Sequence, residues 1–569
     1  MMKLKGNALF AASTLLAAFG FLLFGYDQGV MSGVVANQLF IDQMSNPSSA
    51  LMGAIVALYE IGCMVGALST GKIGDLIGRR KTIRLGCLIL CIGAILQTAA
   101  INVPMMIIAR IVTGLGNGMN TATIPVYQAE LSPPKSRGTH VAFEASLLAV
   151  GVAIAYWLEY GLYFVQGDFA WRFPLAFQMI FAIILGVASF VLPESPRWLQ
   201  AHGKEEDCKI VLARLWSDED VNHPRCIAEW EEIRDGIELE RREGVSSYIE
   251  LFKKGKMNNR YRVLLGMGGQ LIQQFGGINV ISYYLTDVFK QAGMSTEKAM
   301  LFTGIDGIVY FLGAFTPIYT IDRLGRRKLM YGGLIGQAVT LLIVGGCQYA
   351  VESGRSEYSP AVIAFVMIYN FIFGAAWLGL AWLYPSEIFS TGLRAKGNSM
   401  STAANWIGNF VVAEIAPVLF EYAKYWTFLM FGILNVLFLI PIFLWYPETN
   451  GKSLEEIEVL FATKDVQEDA KSVASHIGST SLYDSKHDAE SMAQRPRSSM
   501  FFSSSRPGSR RMPSNFSASQ QYGVDTTGSS GYEKPNPNTA AGQVAQSYDE
   551  KTENHRAQDE QDGKGPNYK

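Results

Sequence analysis

The sequence predicts an all-α membrane protein with twelve transmembrane helices in two six-helix halves. Three observations carry that expectation: about a dozen long apolar runs, basic residues gathered on alternate links, and one internal repeat. Of the 569 residues, 49% are hydrophobic and 17% charged, against roughly 25% charged in a typical soluble domain. The deficit is uneven, since 54 of the 98 charges fall in 193–260 and 462–569, leaving 44 for the other 393 positions. So few charges cannot coat a soluble globule, which excludes an ordinary cytosolic enzyme. The balance of 48 basic and 50 acidic residues offers no concentrated basic face for nucleic acid.

A bilayer core of about 30 Å needs about 20 apolar helical residues. Such runs cover Leu9–Val35, Leu51–Thr70, Ile83–Ala100, Met105–Ile124, Val141–Tyr160 and Phe173–Leu192, then Val263–Leu285, Leu301–Ile321, Leu329–Tyr349, Ala361–Leu383, Ser399–Phe420 and Thr427–Tyr446. The first follows Lys3 and Lys5 as a signal peptide would. It lacks a small-residue cleavage pattern and continues to spanning length, so it reads as a first helix. Lys72, Arg79, Arg80, Lys81, Arg84, Lys135 and Arg137 flank runs on one side, while 37–50 and 101–104 hold no Lys or Arg. Arg323, Arg326, Arg327, Lys328, Arg394 and Lys396 continue the same side, which predicts cytoplasmic termini. The domains are then an N-terminal half (1–192), a charged linker of short cytoplasmic helices (193–260), a C-terminal half (261–461) and a tail (462–569). The tail is rich in Ser, Gly, Gln and Pro and is expected to be disordered. Serines near Arg497–Arg511 suit phosphorylation, and the tail suits regulatory partners. Its Asn515–Ser517 sequon falls on the cytosolic side. The six cysteines imply no disulfide or metal framework.

The repeat pairs "DLIGRRK" from Asp75 with "DRLGRRK" from Asp322, 247 residues on. Glu130 with Arg137 matches Glu387 with Arg394 at an offset of 257, and "PESPR" at Pro193 matches "PETNG" at Pro447 at 254. Three pairs in one order indicate a duplication. One Arg-Arg alone marks only the inner side. The full pattern suggests a cytoplasmic latch, with glycine making the turn and Asp75, Arg79, Arg80, Glu130, Arg137, Asp322, Arg326, Arg327, Glu387 and Arg394 supplying the charge contacts.

These motifs, with "GYDQGVMSG" (Gly25–Gly33), "QQFGGINVISYY" (Gln273–Tyr284) and "PETNGKSLEEIE" (Pro447–Glu458), resemble the sugar porter family of the major facilitator superfamily over residues 21–461. "AYWLEYG" (Ala155–Gly161) and the polar tail are similar to its fungal hexose and polyol carriers. The resemblance implies a central site reached alternately from either face, in a plasma-membrane transporter.

Charges within apolar runs demand a partner or a function. Asp27 and Arg110 are each the only charge in their run. The resemblance assigns Asp27 as proton carrier and Arg110 as its partner, with protons as coupling ion and no other cofactor. A static Asp–Arg clamp is the alternative. Glu60, Asp306 and Glu414 are further embedded acids, the last near an outer helix end. Glu144 neighbours Ala145, which stands where the family offers a sugar-binding Gln, so Glu144 is a possible ligand contact. Helix packing or an ion pair is its alternative.

A sugar needs amides that donate and accept, and an aromatic face. Resemblance places substrate contacts on Gln273, Gln274, Asn279, Trp382 and Asn405, and an outer gate on Tyr283 and Tyr284. Gly276–Gly277 allows the helix to unwind there. Interhelical hydrogen bonding is the alternative role for any single glutamine. Tyr310 replaces an eighth-helix Asn of many hexose carriers, so the substrate is open among hexose, pentose, polyol and disaccharide. Function classes are accordingly a proton–sugar symporter, a facilitative carrier, or a sensor signalling through the tail. No nucleophile–base arrangement, phosphate loop or metal cluster suggests an enzyme.

Overall fold

The computed structural model describes residues 5–131, 137–217, 219–242, 251–252, 258–389, 393–452 and 454–461. The tail at 462–569 and the side chain of Arg137 lie outside them. The described residues are helices and short links, without strands.

Ten helical stretches are long and apolar enough to cross a membrane: Gly6–Ala36, Ser49–Ile77, Arg79–Thr98, Phe143–Tyr163, Phe169–Val191, Thr296–Leu324, Arg326–Glu352, Ser356–Ile388, Lys396–Tyr422 and Trp426–Trp445. Two more helical segments complete the twelve in chain order, Val103–Leu131 as the fourth and Asn259–Phe275 with Ile278–Gln291 as the seventh. Both carry buried polar side chains, Arg110, Asn117 and Asn120 in one and Gln270, Gln273, Gln274 and Asn279 in the other, and the seventh is divided into helices of 17 and 14 residues. A helix satisfies its own backbone in lipid, so leucine, isoleucine and phenylalanine project outward without penalty. Leu88, Ile95, Ile183 and Phe443 are exposed in this way.

Glycines let spans approach closely. A Cβ on Gly62 would lie 2.2 Å from the Ile111 carbonyl oxygen, and one on Gly114 would lie 2.0 Å from that of Tyr59, so the second and fourth spans meet backbone to backbone. The seventh span breaks at Gly276–Gly277, where Gly277 has φ +100°. The freed Gly276 carbonyl accepts from Tyr369 Oη at 3.0 Å and Asn435 Nδ2 at 2.9 Å, which restores the satisfaction that lipid cannot give.

The linker forms helices Pro196–Ala201, Glu205–Trp216 and Pro224–Arg242. Trp198 donates to the Asp75 carbonyl at 2.8 Å, tying the first linker helix to the end of the second span.

The two repeat motifs fold alike. Gly78 (φ +92°, ψ 161°) and Gly325 (φ +88°, ψ 161°) turn the chain through a region essentially reserved for glycine. Each following helix begins with its free N–H groups bound by a carboxylate. Glu194 Oε1 accepts from Arg79 N at 2.9 Å and Arg80 N at 3.2 Å, and Glu448 accepts from Arg326 N at 2.9 Å and Arg327 N at 3.0 Å. Arg79 then pairs with Asp75 (3.0 Å) and Glu130 (3.2 Å), and Arg326 with Asp322 (2.9 Å) and Glu387 (2.7 Å). Arg80 donates to Ser189 and Phe190 carbonyls at 3.0 Å, and Arg327 to the Phe443 carbonyl at 2.6 Å, at the ends of the sixth and twelfth spans. Each set joins helices of one half. Arg394 is the first residue of its helix.

A Cβ at position 78 would sit 2.6 Å from Glu194 Oε2. Gly78→Ala is therefore expected to cost about 1–3 kcal/mol of backbone strain, read as a lower unfolding midpoint of the detergent-solubilised protein. Gly161→Ala, whose Cβ would meet nothing within 4 Å, is the comparison and should leave the midpoint unchanged.

Candidate functional site

Two buried polar clusters lie where the halves meet. The first is built on consecutive residues of the second span. Tyr59 donates to Asp27 Oδ2 at 3.2 Å and receives a hydrogen bond from Asn117 Nδ2. Arg110 stacks over the Tyr59 ring at 4.3 Å and donates to the Val56 carbonyl at 3.0 Å. Glu60 accepts a hydrogen bond from Tyr283 of the seventh span. Asp27 Oδ1, Glu60 Oε2 and Arg110 Nε have no hydrogen-bond partner. Asp27 and Arg110 thus share one pocket, but among the described residues no ion pair joins them. Tyr59 stands between, so the contact is relayed through a phenol and a ring face.

The second cluster contains the amides. Asn405 Nδ2 donates to Gln270 Oε1 (2.6 Å) and Gln273 Oε1 (2.9 Å), and Gln274 Nε2 reaches Gln273 Oε1 at 3.4 Å. Asn279 donates to Gln274 Oε1 across the helix break. Gln270 and Gln273 donate to the carbonyls of Ala381 (2.8 Å) and Trp377 (3.0 Å) in the tenth span. That span is itself interrupted between Ala376 and Leu380, which frees backbone acceptors at its centre. Phe24 of the N-terminal half meets Trp382 edge-on at 6.5 Å and Trp406 at 5.4 Å, supplying an aromatic wall. Gln273, Gln274, Asn279 and Asn405 are accordingly brought together, with Trp382 beside them.

Of the two gate tyrosines, only Tyr283 crosses to the other half. Tyr284 donates to the Ala413 carbonyl at 3.0 Å within its own half. Between the halves, hydrogen bonds gather on the side of Asn279 remote from the repeat motifs: Tyr156 Oη to the Ser282 carbonyl (2.7 Å), Ser32 with Thr286 (3.2 Å), Tyr283 with Glu60, and Ser49 with Glu421. These bonds join the two halves at that end.

Glu144 is buried in the fifth span, and no ion pair or hydrogen bond holds it among the described residues. Tyr310 packs its ring 6.2 Å from Phe373, away from the amides' hydrogen bonds.

Sequence reasoning passed over Gln270, Phe24, Trp406, Tyr59, Asn117 and Asn409. Asn409 lies one turn beyond Asn405, fully buried, with both amide atoms unpartnered. Helical spacing was the available signal: 270 with 273 and 274, and 405 with 409, each fall on one face.

Comparison with known proteins places this geometry. A family model described as "Sugar (and other) transporter" matches residues 13–461. The chain is 38% identical to the MFS-type transporter oryC of Aspergillus oryzae, over 81% of this chain and 88% of the relative. It is 35% identical to the sugar transporter STL1 of Saccharomyces cerevisiae, over 86% of this chain and 88% of that one. Among solved structures it is similar to the proton:xylose symporter XylE bound to 6-bromo-6-deoxy-D-glucose, with a TM-score of 0.68 and 28% identity, covering 80% of this chain and 100% of the other.

Asn405→Ala would remove the amide proposed to meet the sugar, together with the donor to Gln270 Oε1 and one of two donors to Gln273 Oε1, at about 1–3 kcal/mol. The expected outcome is a KM for sugar uptake raised about tenfold or more, measured in a transporter-deficient cell. A KM within twofold of the parent would remove Asn405 from the site.

Proposed function

Because the chain belongs to the sugar porter family of the major facilitator superfamily, whose members are membrane transporters rather than enzymes, we propose that it is a plasma-membrane symporter. In this reading both termini are cytoplasmic, and proton entry drives uptake of a sugar or polyol. The observation that carries the reading is the placement of a buried, incompletely bonded Asp27 in one pocket with Arg110. The proton:xylose coupling named for the neighbouring structure supports it.

Asp27 is buried, and its charge is balanced through Tyr59 and the nearby guanidinium. Movement of the first span against the second and fourth changes that balance, so proton affinity follows conformation. The sugar takes the place of amide–amide bonds around Asn405, its ring lying toward Trp382 and Phe24. Outward opening breaks the Ser32–Thr286 and Tyr156–Ser282 contacts, and closure restores them.

One pH unit is worth about 1.4 kcal/mol per proton, so a one-proton cycle concentrates sugar up to roughly tenfold. Reconstituted protein, with acid outside, should accumulate at least one member of a labelled panel of hexose, pentose, polyol and disaccharide. Asp27→Asn should lose that accumulation while sugar exchange remains measurable. Exchange without accumulation in the parent protein would establish a facilitator instead.

A further inference from the structure

Glu60 is a second carboxylate in the Arg110 pocket, fully buried, and the symport cycle above does not use it. One oxygen receives the Tyr283 hydroxyl from the opposite half, and the other, Oε2, has no partner. The groups facing it are few. Asp27 comes from the first span, Tyr59 and Cys63 from its own helix, Arg110 from the fourth and Tyr283 from the seventh. The eleventh span packs along the second where Gly53 meets the Glu414 backbone. Glu414, the acid nearest that contact, lies about two turns further out than Glu60.

Charge counting decides the matter. One guanidinium balances one carboxylate, and this pocket holds two. A second ionised carboxylate with a bare oxygen, out of reach of water, costs several kcal/mol. The strengthening of one hydroxyl–carboxylate hydrogen bond returns only about 1–2 kcal/mol of that. A neutral Glu60 removes the uncompensated charge, the larger of the two costs, while its carbonyl oxygen still accepts from Tyr283 and Oε2 carries the proton.

We propose that Glu60 is a second proton-binding site, and that its hydrogen bond to Tyr283 makes closure of the outer gate depend on that proton. With the gate open, water from outside reaches Glu60 and the carboxyl ionises, giving its proton to that water. Reprotonation from the same side removes the charge, and Tyr283 docks. Closure is therefore favoured at low external pH and lost as pH rises. The inference rests on the alternating-access part of the function above and not on coupling.

The test needs no sugar. Spin labels at Leu39→Cys and Tyr422→Cys, exposed near the outer ends of the two halves, report gate opening as an interspin distance in lipid nanodiscs, with the unsubstituted chain as labelling blank. The longer-distance population is expected to grow as pH rises. Glu60→Gln, which still accepts from Tyr283, should stay closed at every pH. Tyr283→Phe should be open and independent of pH, Glu60→Asp should keep the titration, and Asp27→Asn, which leaves Arg110 a single carboxylate to balance, should move the titration to lower pH. A distance titration surviving unchanged in Glu60→Gln, moving to higher pH in Asp27→Asn, or missing from the parent would overturn the proposal. Failure of gradient-driven accumulation would instead remove the symport reading and leave this titration readable.

Discussion

A polar group inside a bilayer has only other protein groups to bond with, and the architecture is organised by that restriction. Helices remove it for the backbone. Where the backbone leaves the helix, side chains restore it, as Tyr369 and Asn435 do for the Gly276 carbonyl. Arg110, a permanent charge at full burial, is the hardest case. It is met by a phenol ring, a backbone carbonyl and the surrounding acids, so the second and fourth spans must stay close enough for those contacts. Gly62 and Gly114 make that approach possible.

The duplication supplies the same local solution twice at one end of the spans. In each half a glycine turn delivers a helix start to a glutamate, and the arginines that follow fasten neighbouring spans. The two copies do not touch across the halves through the bonds described, so they act as fasteners of rigid units. Rigid halves are what an alternating mechanism requires, because the energy of a substrate contact is transmitted only through elements that do not deform. The interface bonds, by contrast, are single hydroxyl contacts such as Ser32–Thr286 and Tyr156–Ser282. They are weak enough individually to be exchanged for water.

The helical framework was legible because hydrophobic length and basic flanks are one-dimensional signals. Helix count and the break at Gly276–Gly277 follow from composition and local spacing, whereas the gathering of Gln273, Gln274, Asn279 and Asn405 was implied only by the family resemblance of their motifs. What escaped were relations between distant residues. Nothing in "ALYEIG" announces that Tyr59 stands between Asp27 and Arg110, or that Glu60 meets Tyr283. "PES" and "PET" were visible as markers of duplication, yet the role of Glu194 and Glu448 as helix caps appears only when the chain folds back 115 and 122 residues. Gln270 lay one turn before the family motif, and its partner Ala381 contributes only a backbone carbonyl, which sequence cannot distinguish.

In the proposed cycle the amide cluster also lets the transporter avoid holding an expensive empty site. In this conformation, Asn405, Gln270, Gln273, Gln274 and Asn279 satisfy one another and the carbonyls of the interrupted tenth span. In that cycle a sugar hydroxyl would replace existing hydrogen bonds rather than fill unmet ones, and the net gain per contact would be small. Weak net binding suits a carrier, which must release what it captures. Selectivity then falls to groups that are not already paired. Asn409, whose amide has no partner one turn from Asn405, gains a full hydrogen bond from any hydroxyl that reaches it. The shape of the wall formed by Phe24, Trp382 and Trp406 decides which ring delivers one.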